Sequence, residues 1–550
     1  MTQTVNQNNI QNALISEGQI LFAPMQSKTT YLINADGSVN HTWSSSYTPG
    51  ESVYMLQDGT IVRTIKLSYQ GGGAGGGVQK ITWDGTLIWD FRYYTNDYLS
   101  HHDIELLPNG NILMIAWEYY TRAEAIAQGK DPNKIGSNTW SDHIIEVKPT
   151  GPSSGEIVWE WHVWDHLIQD YDPLKPNYGV VADYPELIDL NFGSTNRDWL
   201  HTNSIDYNEE FDQILVSVRT FNEIWVIDHS TTTEEAAGHA GGNSGKGGDL
   251  LYRWGNPQSY DAGFSTDREF YGQHDATWVE PGYPGEGNIM VFNNGGGRPG
   301  PDYTSIDEIV PPVDEYGNYA YTPGNSYGPE EQIWVYDCNF YAYYIGGAQR
   351  IPNGNTLICN GPGGEFIEVT PSGVIVWDYE NQYPNPLNNN VFKVQYYPPE
   401  EPPPPDEPNL DCSGSFNWID IQAGSTLYGS FEVDNIGDSG SLLDWKIVSY
   451  PDWGDWSFDP ELGEDLTPED GSEIIDVTVT IPNIMNIELE GYIRVENQKD
   501  SEDYDVIPVY LKTPRSKISD LRISDFLNKH QNLFPMLRLL LQFPRLFTFS

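Results

Sequence analysis

Basic residues are scarce in this chain: 28 lysines and arginines stand against 79 aspartates and glutamates, for a formal net charge of -51. A surface this negative repels polyanions, which excludes nucleic acid and anionic membrane as partners for the body of the protein. Cysteine is scarcer still. Cys338, Cys359 and Cys412 lack CxxC spacing and are too few for a disulfide framework or a thiolate metal centre. No apolar run reaches the roughly 18 residues that a spanning helix needs. Residues 1–28 lack the basic region and apolar core of a secretory leader, although the expected location is extracellular or at the cell surface. Helical periodicity is missing too, except near the C-terminus.

What the chain does have is 53 glycines, 38 prolines, 35 tyrosines and 18 tryptophans, with apolar residues in short alternating runs. That pattern indicates an all-β protein rich in turns. Two kinds of segment alternate. One is a strand, a tight Asn-Gly or Asp-Gly turn and a second strand, as in VYMLQDGTIVRT from Val53, IELLPNGNILMI from Ile104 and QRIPNGNTLIC from Gln349. The other is a strand, a small turn and a strand carrying tryptophan, as at Trp43, Trp89, Trp161, Trp254 and Trp377. Such turns favour hairpins, and each pair of segments makes one four-stranded blade. Counting the irregular unit from His274 to Ile345 gives a six-bladed β-propeller over residues 19–396. The N-terminal strands are expected to close the ring beside the inner strands near Gly347–Asn360, hiding the sheet edges.

After an N-terminal polar segment (1–18) and the propeller comes a proline-rich linker, 397–409, which cannot pair in a sheet. Residues 410–513 read as an immunoglobulin-like β-sandwich. The tail, 514–550, reverses the charge balance with six Lys/Arg against two Asp. It is expected to be a short amphipathic segment kinked at Pro535 that docks on a neighbouring domain or attaches the protein to the cell envelope.

In a propeller the innermost strands surround an axial channel, so residues entering them at equivalent places converge. Counting back seven residues from the turn gives His102 before Asn109, His201 before Asn208, Gly346 before Asn353 and Glu51 before Asp58. His274 opens the strand HDATWV. Three of eleven histidines thus take matching positions. Arg219 ends the second strand of the His201 unit, and Asn203 shares a strand face with His201 by the period of two. The product is a cationic, hydrogen-bonding cluster within an anionic molecule, suited to an oxyanion in a deep pocket.

HHDIELLPNG at His101, DWLHTNSIDYN at Asp198, SVRTFNEIWVID at Ser217, GQHDATW at Gly272 and GGAQRIPNGNTLI at Gly346, in this order, resemble the arylsulfotransferase family. The resemblance covers about Tyr31 to Tyr383. It implies a six-bladed propeller that moves a sulfuryl group from a phenolic sulfate ester to another phenol, through a sulfated histidine and without a nucleotide sulfate donor or other cofactor. Carried over motif by motif, His274 is the nucleophile. His102 or its neighbour His101, with His201, Asn203 and Arg219, holds the sulfate oxygens and assists proton transfer. Trp161, Trp164, Tyr171 and Tyr178 in the following insertion could cover a phenyl ring, or simply pack between blades. Two other readings stay open at this point: a non-catalytic binding or adhesion propeller, and a divalent metal held by the channel histidines with Asp103 or Asp275. The fixed charge of Arg219 speaks against the metal.

Overall fold

The computed structural model describes residues 18–399, apart from 69–70, and residues 408–514, apart from 438–440 and 502, together with Lys529. The N-terminal polar segment up to residue 17, most of the linker and nearly all of the C-terminal tail lie outside the described residues. The chain divides into two compact units, Met1–Pro399 and Glu400–Ser550. Both are built almost wholly of strands, with short helices at Arg122–Ala127 and Thr233–Ala236 that the sequence pattern did not announce.

The first unit holds six four-stranded antiparallel sheets. Their inner strands are Pro49–Met55, Tyr98–Leu106, Thr202–Asn208, His274–Trp278, Gly347–Arg350 and Val391–Tyr397. Each inner strand packs beside the next, and Val391–Tyr397 returns to Pro49–Met55, so the six form a closed ring. We number the sheets from the N-terminus. The first is completed from both ends of the unit: Gln19–Pro24 pairs with Val391–Tyr397, Leu21 opposite Gln395. This corrects the expected closure at Gly347–Asn360, which heads a complete sheet of its own. The strand Val391–Tyr397 contains no Asn-Gly hairpin, the signal by which inner strands were recognised.

The recurring tryptophans act at the junctions between sheets. The indole N–H of Trp89 donates to Ser154 O, Trp161 to Gly248 O, Trp254 to Pro329 O, Trp334 to Pro371 O and Trp377 to Ala35 O. Each bond runs from one sheet to the following one, and the last returns to the first. A buried indole offers a large apolar face with a single donor, so one residue both fills the wedge and fixes its neighbour. Trp161 is therefore a core residue, and the expectation that it covers a ligand ring does not hold. Trp164 stacks on Tyr120 with ring centroids 3.8 Å apart, while Tyr171 and Tyr178 are exposed.

In the second unit, a four-stranded sheet (Leu410–Ser413, Thr426–Asn435, Glu473–Thr480, Asp455–Asp459) and a five-stranded sheet (Phe416–Ile419, Tyr504–Lys512, Glu488–Asn497, Leu443–Ser449, Leu462–Leu466) enclose one core. Phe431, Val477, Trp445, Ile493 and Val509 fill it. The strict period-two alternation of buried and exposed residues, as in Thr426–Asn435, is that of a sheet with one wet face.

Candidate active site

The site is assembled where the inner strands begin. His102 and His201 both take left-handed backbone conformations, φ 51° and 54°, which non-glycine residues rarely adopt and which cluster at functional sites. Their rings meet edge to face with centroids 4.6 Å apart. Phe392, from the ring-closing strand, lies 6.1 Å from His102 and 6.5 Å from His274, so one phenyl ring bridges the two. Immediately behind, Asp103 and Asp275 grip Lys393: Nζ is 2.8 Å from Asp103 Oδ2 and 3.1 Å from Asp275 Oδ1, all three buried. The aspartates that a metal reading would recruit thus serve a lysine ammonium instead.

Hydrogen bonds between sheets define the true register. Ile205 N donates to Asp103 Oδ2, Ala276 N to Ser204 Oγ and Ala348 N to Asp275 Oδ2. Asp103, Ser204 and Asp275 are therefore equivalent, and so are His102, Asn203 and His274, one residue earlier. His201 sits two residues ahead of the expected position. The count from the turns went astray because Asn208 is still paired, with Gln213, whereas Asn109 lies beyond the strand end at Leu106. Asn203 is the bulged residue between Thr202 and Ser204. It occupies the place of a histidine, buried, with its amide donating to Gln273 O at 2.8 Å and its Oδ1 without a hydrogen-bond partner among the described residues.

The protonation pattern can be worked out from partners. Asn294 donates its amide to Ala342 O and Ile345 O, so its Oδ1 must accept, and it accepts from His274 Nδ1 at 2.7 Å. His274 therefore carries its proton on Nδ1, and Nε2 keeps a lone pair that, among the described residues, meets only Ile345 N–H at 3.4 Å. Burial, then the Arg219 charge, hold His274 well below the usual imidazole range. Burial and the neighbouring His201, His101 and His274 do the same to His102. Both rings are neutral near pH 7. Arg219 is half-buried, its pKa lowered by burial against the pull of Asp198, and its guanidinium makes no hydrogen bond or ion pair among the described residues. Gly272, at φ 71°, lies against the guanidinium, and a Cβ there would stand in ordinary contact with it, 3.8 Å from Nε. His201 Nδ1 lies 2.5 Å from Asp198 Oδ2. Burial pushes Asp198 up, but the His201 hydrogen bond and the His201 and His101 charges together outweigh it, and the carboxyl titrates below its ordinary range.

His101 is placed behind His102 and not towards the channel. Its Nδ1 lies 2.7 Å from His102 Nδ1, its ring stacks on Trp117 at 4.1 Å, and its Nε2 is 3.5 Å from Asp142 Oδ1. It can orient His102 but is screened from a ligand. Sequence reasoning passed over Asp198 and Asn294, the partners that set the two histidine tautomers. Asp198 opens the quoted DWLH motif, so a carboxylate three residues before His201 was an available signal, whereas nothing local marks Asn294. Glu51, equivalent by turn counting but given no role, is a buried carboxyl beside His201. Burial raises its pKa to about 7 against the opposing pull of Lys66 and His201.

Taken together, these residues make a pocket suited to an anion in an all-β unit, with the neutral rings of His102 and His274, the His201 ring, the Asn203 amide and one guanidinium unpaired among the described residues. The chain belongs to the arylsulfotransferase family, whose model, Arylsulfotransferase (ASST), matches residues 6–385. No curated protein matches the chain. Among solved structures, a protein of unknown function from Bacteroides caccae is 12% identical, with 69% of this chain and 99% of that chain covered and a TM-score of 0.39. Virginiamycin B lyase from Staphylococcus aureus is 10% identical, covering 84% and 92%, at a TM-score of 0.31. The PapD-like domain of human CEP192 is 12% identical, covering 22% and 96%, at a TM-score of 0.18. These scores are too low to bear on fold or function.

Proposed function

We propose that this chain is an aryl-sulfate sulfotransferase, independent of nucleotide sulfate, working by a sulfohistidine intermediate. In this reading the six sheets are the blades of a propeller, and the second unit is an immunoglobulin-like sandwich. One observation carries it: a buried neutral histidine, His274, whose proton is committed to Asn294, leaving on Nε2 a lone pair met by nothing stronger than the long contact from Ile345 N–H, next to Arg219. Nε2 attacks the sulfur of an aryl sulfate, forming an N–S bond as the S–O bond to the phenol breaks. Arg219, His102 and Asn203 hold the sulfuryl oxygens, where charge-matched donors act on the transition state. His201, backed by Asp198, supplies a proton to the departing phenolate. In the second half, the acceptor phenol gives its proton to His201 and attacks the sulfur, releasing His274.

The test is to incubate the protein with 4-nitrophenyl sulfate and no acceptor. The peptide containing His274 gains about 80 Da, one sulfuryl group, and loses it when phenol is added. His274→Ala abolishes both the label and transfer. A wild-type protein that binds aryl sulfates across a range of pH and donors, yet never labels, would leave a binding propeller as the correct reading.

A further inference from the structure

Two histidines to which the transfer reaction assigns nothing meet in the glycine-rich insertion of the fourth sheet, between Glu223–Asp228 and Tyr252–Trp254. His166 follows the outermost strand of the third sheet, Ser154–His162, and its ring is completely buried. Its Nε2 lies 2.8 Å from the carbonyl oxygen of Ala236. A carbonyl only accepts, so Nε2 carries the proton and Nδ1 of a neutral ring presents a lone pair. That Nδ1 points at Asp249 Oδ1, 2.8 Å away, and the Nδ1 of His239 approaches the same oxygen at 2.7 Å. The His166 and His239 rings stand at 86° to one another, so their nitrogens converge on the carboxylate from different directions. A lone pair facing a carboxylate oxygen is repulsive unless a positive charge stands between them. Either a second proton makes His166 an imidazolium, or a cation does the same work.

We propose that His166, His239 and Asp249 form a binding site for a zinc-like divalent cation, with water completing its shell. Two imidazole nitrogens and one carboxylate oxygen are a donor set that zinc accepts in tetrahedral geometry, with ligand bonds of about 2.0–2.1 Å. Ligand atoms around such an ion stand about 3.3 Å apart. A small rotation of the exposed His239 widens its separation from Asp249 to that, and a matching turn of the Asp249 carboxylate widens the separation from His166. The bond from His166 Nε2 to Ala236 is the orienting contact that ligating histidines make with their second nitrogen. Trp161, stacked parallel to His166 at 5.6 Å, holds the ring plane.

Gly248 adds a steric requirement. A Cβ there would come within 2.0 Å of Ala236 O and 2.6 Å of His166 Nε2, so only glycine lets this part of the insertion close over the histidine. The cation would then join residues from the third and fourth sheets across their outer edges. The other histidine–carboxylate group, Glu118, His143 and His162, is less suited. The His143 and His162 rings lie parallel, 5° apart, so their in-plane lone pairs do not converge, and Tyr93 OH already occupies His143 Nε2 at 3.0 Å.

The test uses the full chain, free of any histidine tag and stripped with chelator, titrated with Zn²⁺ in excess Mg²⁺ to silence the acidic surface. We expect one equivalent bound, and Co²⁺ in its place giving the visible absorption of a tetrahedral site. His239→Ala, an exposed substitution that leaves the core intact, weakens Zn²⁺ binding by more than about tenfold and removes the cobalt band. His162→Gln leaves both unchanged. No stoichiometric uptake by the wild type, uptake undiminished in His239→Ala, or uptake lost in His162→Gln instead would each overturn the proposal, the first in favour of an imidazolium–aspartate pair.

Discussion

The two ends of the channel lined by the inner strands are chemical opposites. Where the strands begin, His102, His201 and His274 gather around an arginine whose guanidinium has no partner among the described residues. Along the same strands, past Lys393, a cavity of about 320 Å³ is lined by Glu105, Asp206, Glu280 and Tyr54, with Lys393 and Asp275 at its boundary. Burial lifts the Asp206 and Glu105 carboxyls well above the ordinary carboxylate range, and their mutual repulsion and the other nearby acids add to the rise. One fold therefore offers an anion-holding end and a proton-retaining end within a few residues. The divider is the Asp103–Lys393–Asp275 bridge, in which a single cation stands between two acids that would otherwise repel a bound anion from below. The net charge of the chain says nothing about the charge at its site.

The comparison can be broken most severely at the divider. Lys393→Met leaves two buried aspartates without their cation, and the first unit should lose about 3–5 kcal/mol of stability, read as a lower midpoint for its transition in denaturant. An unchanged midpoint would mean that Asp103 and Asp275 find other partners. Next comes the anion-holding end. Arg219→Ala should lower kcat/KM for 4-nitrophenyl sulfate by about 100–1000-fold, the loss seen when one charge-stabilising donor is removed. The fold should be intact, because Arg219 supports no other group. A loss of less than tenfold would relocate the anion.

The smallest effect belongs to the acidic end. Asp206 has a raised folded-state pKa, so the stability it contributes is complete below the unfolded value of about 4. That contribution disappears as pH rises through the folded value. In Asp206→Asn, whose Oδ1 can still accept from Trp278 N–H, thermal stability should fall less between pH 4 and 8 than in the wild type, with sulfuryl transfer unaffected. Impaired transfer would show that the two ends are coupled.

Much of this was legible in the sequence because the determinants are local. Asn-Gly turns, alternating strands and the tryptophan-bearing strands mark their sheets one by one, and His102, His201, His274, Asn203 and Arg219 do come together. What failed was register and closure, which depend on pairing at a distance. Counting from Asn208 placed His201 level with His102, because sequence does not reveal that Asn208 remains in the ladder while Asn109 has left it. The closing strand Val391–Tyr397 went unrecognised for a similar reason: its partner lies 378 residues earlier, Gln19 opposite Tyr397, and no turn connects them. His101 and His102 are adjacent letters, and only packing against Trp117 decides which one faces the channel.

Phe392 and Lys393 arrive on the last strand of the first unit, and this fixes an order of events during synthesis. Five sheets can form while the chain is still being made, but the phenyl ring between His102 and His274 and the ammonium between Asp103 and Asp275 come only once the strand ending at Tyr397 has left the ribosome and seated itself beside Gln19–Pro24. Until then the channel would hold two uncompensated acids under an open histidine cluster. An incomplete ring lacks both groups, and the site is completed in a single step with the latch.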